Sequence, residues 1–111
     1  MTTLGATLVE PGLVRLGGQG PITLGVHPRL QSLAALLTLA GFDVCTADDV
    51  AGLAWGKLVI NAAINPLTAL LRVPNGELLA RPAARELMGL AAREAAQVGA
   101  AQGLHLSLIH I

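Results

Sequence analysis

Residues 55–70, WGKLVINAAINPLTAL, carry the strongest pattern in this chain. Apolar residues fill most of the positions, and Lys57, Asn61 and Asn65 recur at intervals of four. An α-helix turns by about 100° per residue, so this spacing places the three side chains within about 80° of one another. The pattern therefore predicts an apolar helix with one polar edge.

Capping residues and proline predict the bounds of this helix. Asp48 or Asp49 supplies an N-cap, and the helix begins at about Val50. Pro66 has no backbone N–H, so we expect it to bend or end the helix near Ile64, with a further helical stretch beyond it.

Before this helix the sequence predicts three short strands, a helix and a fourth strand. The three apolar runs of strand length are residues 6–9, 13–16 and 22–24. Because they follow one another so closely, we expect them to be antiparallel neighbours. A helix is predicted from Pro28 to the stop at Gly41, and a strand at residues 42–46.

After the polar-edged helix, residues 73–76 form a turn cluster. A last helix is predicted from Pro82 to about Ala101, with Gly103 as its stop. The apolar tail at residues 107–111 fits none of these patterns, and we interpret it as a non-native addition.

The charge balance and the aromatic content exclude several functions. Seven basic and seven acidic residues cancel, and aromatic residues make up 2% of the chain. The chain therefore has neither the basic excess nor the stacking surface that nucleic-acid binding needs. Its single cysteine allows no internal disulfide, and no cysteines and histidines have zinc-site spacing, so no metal site is predicted.

The chain is unusually rich in apolar residues and poor in charged ones. Apolar residues make up 53% and charged residues 13%, against about 25% charged in typical soluble domains. A membrane span is not predicted, because Asn61, Asn65 and Pro66 interrupt the best candidate segment. We expect instead a fragment of a larger protein or an obligate oligomer, and prefer the fragment. With no signal peptide in the sequence, a cytoplasmic location is predicted.

One ammonium group and two carboxamides on an apolar helix suit the chemistry of a small 2-keto acid. A lysine can donate a hydrogen bond and then a proton to the carbonyl oxygen as hydride reaches the carbon. Asparagine amides bind hydroxyl and carboxylate groups. The spacing alone equally allows a solvent-facing Lys57 and a helix-ending Asn65-Pro66 pair, so both interpretations stay open at this point.

The same stretch resembles the signature helix of the ketopantoate reductases, the 2-dehydropantoate 2-reductases of pantothenate biosynthesis. Three further segments resemble that family in the same order: TTLGAT at residues 2–7, GPITLG at 20–25 and VPNGEL at 73–78. The resemblance extends over about residues 2–106 and implies an NADPH-dependent oxidoreductase that reduces 2-dehydropantoate to pantoate.

The resemblance also implies roles for individual residues. Lys57 matches the proton donor of the family, and Asn61, Asn65 and Asn75 match its substrate-binding asparagines. In the same comparison, Thr7 aligns near a position at which the family contacts its cofactor. The G-x-G-x-x-G motif of dinucleotide-binding domains is absent from this sequence, so the main NADPH-binding motif is not expected here.

The fold class implied by the resemblance is an α+β fragment. Residues 1–48 would provide short antiparallel strands that end a Rossmann-like domain, and residues 49–106 the first helices of an all-α C-terminal domain. We expect this fragment to be inactive alone. The expected partner is a small 2-keto acid, and the full-length protein is compatible with a homodimer.

Two alternatives remain after the resemblance. One is a paralogous reductase acting on another 2-keto acid, because related hydroxyacid dehydrogenases also use a lysine and an asparagine four residues apart. The other is a non-catalytic helical interaction module, whose apolar excess would be its partner surface.

Overall fold

The computed structural model describes residues 1–104, which fall into two units. Met1–Val50 form the first unit, and the second begins at Ala51. The first is built from short strands and one α-helix, and the second from helices. This order confirms the predicted α+β fold class. The predicted non-native tail at residues 107–111 lies outside the described residues.

The first two strands form an antiparallel hairpin, as predicted. Strand β1 spans Gly5–Glu10 and strand β2 spans Leu13–Gly18. In the turn between them Gly12 has a φ of 83°. This left-handed conformation costs glycine little, whereas it costs other residues about 1–2 kcal/mol. The glycine therefore fixes the position of the turn.

The third strand pairs differently from the prediction. Strand β3, Ile22–Gly25, is parallel to strand β4, Val44–Ala47, and is not an antiparallel neighbour of β2. A parallel pair needs a crossover of about a dozen residues or more. A 3₁₀ helix, Pro28–Leu30, and helix α1, Gln31–Leu39, provide it. The result is a β-α-β unit, and Gly41 with a φ of 87° follows α1 at the predicted stop.

The other edge of β3 is occupied by the first residues of the described chain. The Thr23 N–H donates to the Met1 carbonyl oxygen at 2.8 Å, and the Met1 amino group donates to the Thr23 carbonyl oxygen at 2.7 Å. Thr2 and Ile22 add an antiparallel bridge. Because both edges of β3 are already paired, β2 cannot join it, which is why the antiparallel prediction is wrong for this strand.

The described part of the second unit, up to residue 104, contains three helices. Helix α2 spans Val50–Leu71, helix α3 spans Asn75–Leu79 and helix α4 spans Pro82–Ala101. Pro82 opens α4, and Gly103 follows it with a φ of 79°, both as predicted. Residues 73–76, predicted as a turn cluster, are a turn only in part, because α3 already begins at Asn75.

Pro66 does not end α2, contrary to one form of the prediction. The helix continues for five residues beyond it. Proline removes one backbone hydrogen bond from the turn that contains it. In that turn the Thr68 hydroxyl donates to the carbonyl oxygens of Ile64 at 3.3 Å and Asn65 at 3.0 Å. Both acceptors lie just before the proline, and neither is the Ala62 carbonyl oxygen to which a residue at position 66 would normally donate.

The core of the second unit joins α2 to α4. Val59 and Ala63 from α2 and Ala92 and Ala96 from α4 form one buried cluster, each at most 8% exposed. Met88, Ala91 and Ala95 pack against it. On each helix the buried pair is spaced by four residues, so each helix contributes a single apolar stripe.

Helix α2 is also long and apolar enough to cross a membrane, judged by length and composition alone. A core helix of a globular domain can have the same two properties. Lys57, Asn61 and Asn65 lie near the middle of α2, where a bilayer would make polar groups costly. The expectation that the chain does not span a membrane stays a prediction.

The packing predicts a large difference between two adjacent leucines. Leu78 is fully buried and Leu79 is 60% exposed. Leu78→Ala should lower the free energy of unfolding by about 2–5 kcal/mol, because it leaves a cavity. The matched control, Leu79→Ala, should change it by about 0.5 kcal/mol or less. Urea denaturation followed by circular dichroism measures both, and equal losses would contradict the burial.

Candidate active site

The polar edge of α2 is a strip of three side chains. Lys57, Asn61 and Asn65 lie on one uninterrupted helix, so helical geometry spreads them over about 80° of its circumference. Asn61 follows the buried Val59 by two residues, which places it about 160° round the helix. The strip therefore lies on the side of α2 opposite its contact with α4.

The surroundings of the strip are apolar and accessible. Lys57 is half-buried, whereas Asn61 and Asn65 are exposed. Leu58 is 49% exposed on one side of the strip, and Ile60 is 38% exposed on the other. Small-molecule sites also combine a few placed polar groups with apolar side chains, within a cleft or cavity. The arrangement can donate hydrogen bonds and one proton, and it brings no carboxylate of its own.

Asn75 lies on a different element of the second unit from the polar strip. It is the first residue of α3 and is exposed, four positions after the end of α2. Glu77 in the same helix pairs with Arg81 at 3.3 Å, with the two side chains 55% and 48% exposed. Such an exposed ion pair stabilises little, so it does little to fix the position of α3. The position of Asn75 relative to α2 depends on the short connection between the two helices.

That connection contains a strained residue that the sequence patterns did not reveal. Arg72 has a φ of 53°, and among residues 1–104 it is the one non-glycine residue with a positive φ. The Val73 N–H donates to the Thr68 carbonyl oxygen at 3.2 Å, which is the closing bond of a Schellman motif. Pro74, two positions later, could have indicated this helix end from the sequence, because proline often follows a helix that ends in this way.

Thr7 lies in the first unit, on β1, and is exposed. In the hairpin it is directly opposite Arg15. Paired residues of an antiparallel hairpin share one face, so a hydroxyl and a guanidinium group lie side by side there. Gly17 places no side chain beside the Thr7 hydroxyl; a Cβ added at Gly17 would lie 3.8 Å from Thr7 Oγ1.

The described residues do not form a dinucleotide cradle. Such a cradle needs a glycine-rich turn between a strand and the start of a helix. Gly18 ends β2, and Gly20 leads into β3, a strand, rather than into a helix. The strand-to-helix turn after β3 has only Gly25, where an added Cβ would lie 3.2 Å from Val50 Cγ2. These residues do not fit a cofactor pyrophosphate.

No group of three or more histidine, cysteine, aspartate or glutamate side chains within residues 1–104 could hold a metal ion. Cys45 pairs with Thr23 across the two parallel strands, with Sγ and Oγ1 3.3 Å apart. The chemistry of the candidate site therefore depends on the ammonium and amide groups of the second unit.

The comparison with protein families identifies the second unit. The family described as the C-terminal domain of ketopantoate reductase PanE/ApbA matches residues 49–108. This region is more than half of the chain and contains all of the polar strip. The chain belongs to the ketopantoate reductase family, a family of oxidoreductases, and the resemblance seen in the sequence is confirmed.

Individual relatives extend the similarity into the first unit. The 2-dehydropantoate 2-reductase of Halobacterium salinarum is 33% identical over 111 residues, which cover 96% of this chain and 37% of the relative. The crystal structure of a PanE/ApbA family ketopantoate reductase from Ralstonia eutropha JMP134 has a TM-score of 0.84 at 31% identity, covering 96% of this chain and 36% of that chain.

A second similar structure belongs to an enzyme that is named for a different activity. D-mandelate dehydrogenase in complex with NADH also gives a TM-score of 0.84, at 27% identity, over 96% of this chain and 37% of that chain. This chain therefore spans little more than a third of the length of the proteins that it matches.

The strain at Arg72 makes a testable prediction about the α2–α3 connection. Arg72→Gly should raise the free energy of unfolding by about 0.5–1 kcal/mol, because glycine adopts a positive φ at little cost. Arg72→Ala, which removes the same charge and keeps the strained conformation, should give no such gain. Guanidinium chloride denaturation of the three proteins measures the difference. If Arg72→Ala stabilised the protein as much as Arg72→Gly, the gain would come from removing the charge and not from relieving the strain.

Proposed function

We propose that this chain is part of an NADPH-dependent 2-dehydropantoate 2-reductase, which reduces 2-dehydropantoate to pantoate. The observation that carries the proposal is the polar strip of α2, one ammonium group and two carboxamides within the region matched by the family. The name of the Halobacterium salinarum relative supports the choice of substrate.

Lys57 is the proposed proton donor. As the keto carbon is reduced, negative charge develops on its oxygen, and an ammonium group can stabilise that charge by a hydrogen bond and then transfer a proton. Lys57 is half-buried on α2, and a lysine with a partly covered stem can still present its ammonium group at a surface.

Asn61, Asn65 and Asn75 are the proposed substrate-binding residues. Each carboxamide offers two N–H donors and one carbonyl acceptor, which suits the hydroxyl and carboxylate groups of the substrate. All three are exposed, so their amides can exchange water for ligand. Because these contacts also exist in the ground state, they contribute mainly to binding.

The cofactor is proposed to be NADPH, which supplies hydride when bound. The likeness to D-mandelate dehydrogenase solved with NADH supports a nicotinamide cofactor. The residues present here do not form its pyrophosphate cradle. Thr7, exposed on the hairpin, is proposed to contact it.

The domain organisation is proposed to follow that of the family. Residues 1–48 would belong to the cofactor-binding domain, and residues 49–106 to the helical C-terminal domain. The division of the structure at Val50 and the start of the family match at residue 49 support this assignment.

The setting proposed for the full-length enzyme is the cytoplasm, as a homodimer without nucleic-acid or membrane partners. Zero net charge supports the absence of a nucleic-acid partner. The exposed leucines and valines of the second unit, such as Leu87 and Val98 on α4, offer surface for a protein partner.

A paralogous reductase acting on another 2-keto acid is the second candidate. The equal TM-scores of the ketopantoate reductase and of D-mandelate dehydrogenase favour keeping it. Steady-state turnover of the full-length protein with 2-dehydropantoate and with aromatic 2-keto acids separates the two. A non-catalytic module would turn over neither.

The proposed roles predict that two variants of the full-length protein change different kinetic parameters. Lys57→Ala should lower kcat and kcat/KM together, by about 10²–10⁴-fold, because its interaction is strongest in the transition state. Asn65→Ala should act largely by raising KM, since it also binds the ground state.

Two variants on α4 serve as controls. Arg93→Ala removes an exposed cation and Gln97→Ala an exposed carboxamide, both outside the polar strip. Neither should change kcat or KM. A Lys57→Ala enzyme with altered KM and an intact kcat would show that Lys57 binds substrate and that another group donates the proton.

A further inference from the structure

The turn of α2 that contains Asn65 and Pro66 lacks one backbone hydrogen bond. Pro66 cannot donate the backbone hydrogen bond that would otherwise reach the carbonyl oxygen of Ala62, four residues earlier. The helix nevertheless continues to Leu71. A proline inside a helix is one of the identifiable causes of a kink.

Thr68 bonds to the residues on the N-terminal side of the proline. Its Oγ1 lies 3.0 Å from the Asn65 carbonyl oxygen and 3.3 Å from the Ile64 carbonyl oxygen. One hydroxyl group has one proton, so it is shared between these two acceptors. A threonine bonded in this way influences the bend of a helix. The bonds connect the segment after the proline to Asn65 itself.

The position of Asn65 relative to Lys57 matters for a small substrate. The two residues are eight positions apart, about 12 Å along the helix axis. A bend between Asn61 and Asn65, or a rotation of the Asn65 backbone, changes the distance that a bound molecule must span. A binding group that is displaced from its ligand makes a weaker hydrogen bond, because these bonds depend on distance and angle.

We propose that Thr68 is a positioning residue of the active site, which acts by fixing the backbone of Asn65. This inference rests on the proposed function, because it needs Asn65 to bind substrate. It assigns Thr68 no contact with substrate. In the sequence Asn-Pro-Leu-Thr at residues 65–68, the hydroxyl three positions after the asparagine bonds to the asparagine's own carbonyl oxygen.

The test uses the full-length reductase and three threonine variants. Thr68→Val keeps the branched shape and removes the donor, and it should raise KM about fivefold, the equivalent of one lost hydrogen bond, with kcat nearly unchanged. Thr68→Ser restores a hydroxyl and should recover the wild-type KM. Thr38→Val is the matched control, because the Thr38 hydroxyl makes the same type of bond, to the Ala34 carbonyl oxygen at 3.0 Å on α1.

A double-mutant cycle shows whether Thr68 acts through Asn65. In the Asn65→Ala background, Thr68→Val should raise KM no further, because the group that it positions is gone. Independent, multiplied effects on KM would overturn the proposal, as would a Thr68→Ser enzyme that resembles Thr68→Val. Failure of the proposed function has a different signature: the wild-type full-length protein would then turn over no 2-keto acid.

Discussion

The contact between α2 and α4 is the constraint on which the second unit depends. Val59 and Ala63 are buried with Ala92 and Ala96, and this stripe fixes which side of α2 faces inward. Once that side is fixed, the period of the helix decides where every other residue of α2 lies. Lys57, Asn61 and Asn65 are out of phase with the stripe, so they must lie on the opposite side.

The features that depend on local periodicity could be predicted from the sequence. The polar edge of α2, the start of α4 at Pro82 and the glycine stops at Gly41 and Gly103 all follow from residues within a few positions of one another. The hairpin of β1 and β2 is similarly local. Each of these elements has its determinants within its own segment, so a single sequence suffices.

The features that depend on distant partners could not be predicted. β3 pairs with β4, about twenty residues later, and with the first residues of the chain, and strand spacing contains no information about either. Helix α2 continues through Pro66 to Leu71, whereas proline rules consider only the proline and its immediate backbone neighbours. Arg72 was missed because its strained φ conflicts with its residue type.

The separation of packing and polar groups on α2 affects how such a protein can change over evolution. Substitutions that keep Val59 and Ala63 preserve the contact with α4, while Leu58, Ile60 and the asparagines lie elsewhere on the helix surface. New combinations at those accessible positions can therefore be sampled with little loss of fold stability. A single helix built in this way separates the positions that maintain the fold from the positions that can vary.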